Sequence, residues 1–94
     1  MILINEKEIS ILRIKYKLLF FDSSHRTSMK NMGYCNSETK EIYISKGMSI
    51  DITEQTILNE IIHLINMYLT IGLKEDQILQ LTKGLYSFIK ENNL

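Results

Sequence analysis

The chain has 94 residues, 45% of them hydrophobic and 23% charged, with 11 basic and 11 acidic side chains and a formal net charge of zero. This is the makeup of a single folded domain with a modest core. It excludes a disordered chain and supplies no overall charge for wholesale nucleic-acid binding.

The charge is unevenly spread. Residues 1–30 hold Lys7, Arg13, Lys15, Lys17, Arg26 and Lys30 against Glu6, Glu8 and Asp22. We read this as a solvated strand surface rather than a nucleic-acid or acidic-protein contact. Cys35 is the only cysteine, so no internal disulfide forms, in keeping with a reducing cytosol. The opening MILINEKEIS turns polar after four residues, unlike a signal peptide. No apolar run reaches the roughly 18 residues that span a bilayer. The expected location is the cytoplasm.

Along the chain, EISILRIKYKLLFFD is rich in β-branched and aromatic residues. From Ile14 the alternation places Ile14, Tyr16, Leu18 and Phe20 on one side, with Lys15 and Lys17 on the other. Ile9 and Ile11 hold the opposite parity. The break near Leu12–Arg13 predicts a bulge or tight turn between two short strands. Residues 23–33 read as a loop. YCNSETKEIYI reads as a hairpin, with a strand around Tyr34–Cys35, a turn through Asn36–Lys40 and a strand over Glu41–Ser45.

A helix follows. Asp51, with Glu54 three residues on, predicts a capping-box start. The helix is expected to run to about Thr70 and to be stopped by Gly72, with Leu73 making the apolar contact that accompanies such a stop. A second helix is predicted from about Lys74 to Asn92, with Glu75 and Asp76 in its first turn suiting the dipole. Its apolar stripe reads as Ile78, Leu81, Leu85, Phe88 and Ile89, flanked by Leu79 and Tyr86. Gly84 inside it suggests a close helix–helix approach. The expected fold is α+β, a small antiparallel sheet of about four short strands followed by two antiparallel helices, in one domain over residues 1–94.

The residues with chemistry lie in TILNEIIHLI, residues 56–65. Helical phase gathers Ile57, Leu58, Ile61, Leu64, Ile65 and Tyr68 on one face. Asn59, Glu60 and His63 fall on the other, with Thr56, Met67 and Thr70. Asn59 and His63 are four apart, one above the other. Two ligands so spaced can share a metal ion, and a Glu beside the first can polarise a metal-bound water. Polar helix faces are common, so N-E-x-x-H alone is a weak signal. This face, however, holds no Lys or Arg, which suggests that a loop or a partner covers it.

Three features taken together resemble the smallest ImmA/IrrE-like zinc metallopeptidases, a group that includes short proteins of bacteriophages and prophages. They are the strand pair ISILRIKYKLLFFD, the hairpin GYCNSETKEIYIS, and the two-helix stretch TILNEIIHLINMYLTIGLKEDQILQLTKGLYSFIKENN. The resemblance spans about residues 9–92. It implies a zincin-like fold in a bacterial host's cytoplasm, with His-Glu-x-x-His on the first helix and an acidic third ligand from the second. His63 then matches the second ligand and Glu60 the general base. Asn59 stands where the first ligand should be. Glu75 is favoured as the third ligand, with Asp76 the alternative. Lys74 stands where a capping Ser or Asp is expected.

An amide oxygen is a poor zinc donor beside an imidazole. Without zinc no bound water is acidified and Glu60 has nothing to activate. His25 in the loop and Cys35 at the hairpin are the other ligand types on hand, read here as a solvent-exposed residue and a small buried hydrophobe. Cys35 with His63 as a nucleophile pair has no support in the spacing. The alternative use of the stripe is an Asn59–His63 hydrogen bond, with Glu60 holding an imidazolium. The functional expectation is a non-catalytic pseudoenzyme without bound zinc. It would bind a host or phage protein, as a regulator of phage or mobile-element genes or an inhibitor of a host defence protein. The alternative is an active zinc peptidase with an unusual ligand set. Neither nucleic acid nor membrane is an expected partner. A homodimer is a further possibility, through a strand edge or the face around His63.

Overall fold

The computed structural model describes residues 8–22 and 32–94. Its first hairpin is β1 (Glu8–Ile11) and β2 (Ile14–Phe21), paired antiparallel with Ile9 opposite Tyr16 and Ile11 opposite Ile14. The parity break falls at a two-residue turn. Leu12 and Arg13 both take positive φ, 51° and 69°, the conformation whose twist suits a tight hairpin. Ile9, Ile11, Tyr16 and Leu18 are therefore buried on one face, while Lys15 and Lys17 leave from the other.

The second hairpin is β3 (Gly33–Asn36) and β4 (Glu41–Ser45). Asn36 Oδ1 organises its turn by accepting from the backbone of Glu38 and Thr39 at 2.9 and 3.1 Å. The strand order is β1-β2-β4-β3, and β2 pairs with β4 in parallel. The sheet is thus mixed, which corrects the expected all-antiparallel arrangement. Burial gives the reason. Ile42 and Ile44 of β4 are fully buried and claim a central position, whereas β3 is only half covered and takes the edge.

The helices are α1 (Ile50–Leu69) and α2 (Glu75–Glu91). They are antiparallel: contacts pair Asp51 with Tyr86, Asn59 with Thr82, and Asn66 with Leu73. The fold is a small α+β domain, a mixed four-stranded sheet followed by two helices. No helix among the described residues is long and apolar enough to cross a membrane.

The caps differ from expectation. Ser49, not Asp51, is the N-cap of α1, and its hydroxyl accepts from the Ile52 backbone at 3.2 Å. Asp51 is free to reach Tyr86 instead. Thr70 itself takes the left-handed conformation that ends α1 (φ 48°, ψ 47°), and Gly72 (φ 85°) shapes the following turn. Leu73 packs beneath that turn as expected. Lys74 does cap α2 as a non-capping residue type, and the Gln77 side chain compensates by accepting from its backbone N–H at 2.8 Å.

Two cores flank α1. Ile57 and Leu64 join Ile9, Ile11, Tyr16, Leu18, Ile42 and Ile44 against the sheet. Leu58 and Ile62 join Ile78 and Tyr86 against α2. The inward stripe of α2 is thus Ile78, Thr82, Tyr86 and Ile89, while Leu81, Leu85 and Phe88 are exposed. At about 100° per residue the helix is turned by roughly 60° from the expected stripe. Two links to α1 fix that rotation: Thr82 accepts from Asn59, and Tyr86 donates to Asp51 and Glu54. Gly84 does not sit at the helix contact, since a Cβ there would meet nothing within 4 Å.

Gly33 is the glycine that packing requires. A Cβ there would lie 2.7 Å from Thr56 Cγ2 of α1 and 3.2 Å from the Tyr43 carbonyl oxygen. Gly33→Ala should lower the unfolding free energy by about 1–3 kcal/mol in denaturant titration. An unchanged midpoint would mean that β3 is not pressed against α1.

Candidate functional site

The residues of the N-E-x-x-H stretch do not share one solvated face. Glu60 is 8% exposed and points into the seam between α1 and β3. There it meets the Cys35 thiol, which is half-buried and packs at the edge of the sheet core. The cover over Glu60 and Thr56 is strand β3, neither the loop nor the partner expected from the sequence, while Met67 and Thr70 of the same face stay exposed. Thr56 is buried as well: its methyl faces Gly33 and its hydroxyl donates to the Ile52 carbonyl at 2.7 Å.

Asn59 turns the other way. Its Nδ2 donates to Thr82 Oγ1 on α2 at 2.9 Å. The Thr82 hydroxyl spends its own proton on the Ile78 carbonyl at 2.8 Å, so it can only accept from Asn59. The expected Asn59–His63 bond is not made. His63 instead reaches across the helix pair, with Nε2 3.3 Å from Glu75 Oε1. Of the two acidic candidates on α2, Glu75 therefore lies beside His63. The Glu75 side chain is largely exposed, so this contact adds little stability.

The electrostatics follow from burial. Burial pushes Glu60 above the usual carboxylate range; the adjacent His63 and the Cys35 thiol draw it back without cancelling the shift. Burial also pushes the Cys35 thiol up, to about 12, and the Glu60 carboxylate beside it adds to the rise. A thiol so placed is a poor nucleophile at neutral pH. Its partner is Glu60, so the Cys35–His63 pair finds no support here either.

The expected zinc ligands can be tested against this arrangement. Asn59 offers a neutral amide already bonded to Thr82, and Glu60 is directed at Cys35. Only His63 and Glu75 remain as adjacent donors. Among the described residues, no group of three or more His, Cys, Asp or Glu side chains is placed to hold a metal ion. His25 lies outside the described residues. A catalytic zinc needs three protein ligands, and this donor set does not fit one.

On the other side of α1, where it meets α2, a second buried polar group forms that the sequence reading gave no site role. Tyr86 Oη is shared between Asp51 Oδ1 at 2.9 Å and Glu54 Oε1 at 3.1 Å. Burial, then these two carboxyl groups, raise the Tyr86 hydroxyl well above its ordinary value. Lys90 lies 3.7 Å from Asp51. The 78–82–86 spacing on α2 was the available signal for Thr82 and Tyr86, since it continues the stripe from Ile78. No family model matches the chain, and neither does any curated protein or solved structure.

Two outcomes follow. In the folded chain Cys35 should alkylate at pH 8 at least about tenfold slower than a free cysteine, and at the free rate once unfolded. A fast reaction in the folded state would refute its burial against Glu60. The raised Glu60 value also fixes a sign. The folded chain holds this proton to higher pH than the unfolded chain, so stability falls as pH rises through the folded value. Below about pH 4 the group is protonated in both states and its contribution is flat. Glu60→Gln should therefore gain stability relative to the unsubstituted chain as pH rises from about 4 to 7. A constant difference across that range would contradict the assignment.

Proposed function

We propose that this chain is a non-catalytic protein-binding domain, a pseudoenzyme on an ImmA/IrrE-like metallopeptidase scaffold whose metal motif serves structure. The observation that carries this reading is the Asn59–Thr82 bond. At the position where a first zinc ligand would stand, the side chain is neutral and ties α1 to α2. The neighbouring acid is drawn into a contact with Cys35, away from where a water could be activated.

Such a domain acts by occlusion or recruitment through its surface. The open face of the sheet offers anchors of the type that dominate binding energy. Tyr34 and Tyr43 stack with ring centroids 4.6 Å apart, Phe21 lies 6.0 Å from Tyr34, and Tyr34 is 52% exposed. Tyr16, by contrast, is fully buried and bonded to Tyr68. We place the target among host or phage proteins, with regulation of phage or mobile-element genes and inhibition of a host defence protein as the two roles the resemblance suggests.

One observation favours the second reading, an active zinc peptidase. His63 and Glu75 approach as two ligands of one ion would. A zinc-indicator competition on the natural chain and on Asn59→His separates the two. The expected result is no stoichiometric zinc on the natural chain, and uptake by the variant at least about 100-fold tighter. One tightly held zinc per natural chain, with peptide cleavage abolished by Glu60→Gln, would overturn the non-catalytic reading.

A further inference from the structure

Glu54 is fully enclosed between α1 and α2, with 1% of its surface exposed. Its Oε1 lies 3.1 Å from Tyr86 Oη, and its Oε2 is buried without a hydrogen-bond partner. Among the described residues no Lys, Arg or His is ion-paired with it. An ionised carboxylate so placed would be a buried charge with no cation to offset it, one of the costliest arrangements a fold can hold.

The proton count at Tyr86 gives the same answer. Tyr86 Oη meets two carboxyl oxygens, Asp51 Oδ1 at 2.9 Å and Glu54 Oε1 at 3.1 Å. A phenol has one proton, so it fills one of these bonds and leaves its oxygen as the acceptor in the other. Burial, then the contacts with Asp51 and Glu54, hold the Tyr86 hydroxyl well above its ordinary value, so Tyr86 itself stays neutral. The second bond therefore takes its proton from one of the acids. Asp51 has every reason to stay ionised: its side chain is 66% exposed, Lys90 Nζ lies 3.7 Å away, and the first turn of α1 favours negative charge. Glu54 has neither solvent nor cation and lies beyond that turn.

We infer that Glu54 holds a proton in the folded chain at neutral pH and donates it to Tyr86 Oη, which donates its own proton to the Asp51 carboxylate. Glu54 Oε2 is then the carbonyl oxygen of a neutral acid. This explains how it persists without a partner, since an unpaired neutral acceptor costs far less than an unpaired charge. The titratable groups that face Glu54 are Tyr86 on α2 and, across the shared hydroxyl, Asp51 on its own helix; Lys90 stands beyond Asp51. The two carboxyls thus carry one negative charge between them, and it sits on Asp51 beside Lys90. Loss of the buried proton would set two carboxylates on one hydroxyl in the seam between the helices. The α1–α2 contact is therefore a pH-sensitive joint that weakens as pH rises. This inference holds whether or not the binding role proposed above does.

Chemical unfolding of the natural chain and of Glu54→Gln, from about pH 5 to 7, tests this. The glutamine is nearly isosteric with a neutral acid, and its amide donates to Tyr86 Oη as the protonated carboxyl does. An unfolded glutamate ionises at about 4.3. The natural chain therefore releases the Glu54 proton on unfolding throughout that range, and Glu54→Gln has none to release. The unfolding equilibrium constant of the natural chain should rise relative to that of Glu54→Gln by about tenfold per pH unit, about 100-fold in all. Glu60 is present in both chains and cancels. A ratio that stays constant or falls between these pH values overturns the inference. Carbon-13 NMR of the glutamate side-chain carboxyls gives a second readout that does not depend on Glu54→Gln folding. At pH 7 one such carbon should stand at the position of a neutral acid and remain there in Glu60→Gln. Its absence would equally overturn the inference.

Discussion

Helix α1 must bury two faces at once, and the rest of the structure follows from that constraint. Ile57 and Leu64 face the sheet, whereas Leu58 and Ile62 face α2. Each such side chain contributes about 1.5–3 kcal/mol when fully buried. A helix enclosed on two sides keeps little circumference for water. Polar residues between the two apolar faces are therefore trapped in seams: Thr53, Glu54, Thr56 and Glu60 are all buried. A trapped polar group is costly unless it finds a partner. Tyr86 reaches Glu54, the Cys35 thiol lies on Glu60, and Thr56 bonds its own helix. Only Glu54 Oε2 lacks one among the described residues.

This enclosure accounts for how the N-E-x-x-H stretch behaves. On a metallopeptidase helix the same positions would converge on an ion in an open cleft. Here they diverge to three different partners on two elements: Thr82 and Glu75 on α2, and Cys35 on β3. The choice of Asn at position 59 is the decisive step. An amide can donate to a hydroxyl whose proton is already committed, and it does so without a charge to desolvate. Imidazole in its place would offer zinc a nitrogen donor but would compete for the same hydroxyl. Asn59 is thus a link between the two helices.

Much of this was legible in the sequence. The parity break at Leu12–Arg13 marked a tight turn, and alternation named the buried side of β2. Hydrophobic phase placed both helices to within a residue or two at each end. The failures have physical causes. Strand pairing direction is not written in alternation, and the parallel β2–β4 pair depended on which hairpin strand buries deeper. A period of 3.6 residues cannot say how many neighbours a helix has. It therefore placed Glu60 on a polar face, when that face is covered by β3. Likewise the most apolar line on α2 is not its inward line, because Thr82 and Tyr86 anchor the helix through hydrogen bonds that hydropathy does not register.

The central claim is that Asn59 is a structural link between α1 and α2. A double-mutant cycle across Asn59 and Thr82 tests it most directly, using Asn59→Ala, Thr82→Ala and the double variant in chemical unfolding. The account predicts a favourable coupling of about 0.5–1.5 kcal/mol, the worth of a part-buried side-chain hydrogen bond. Strict additivity of the two substitutions, within about 0.3 kcal/mol, would contradict it and leave Asn59 without the role assigned here.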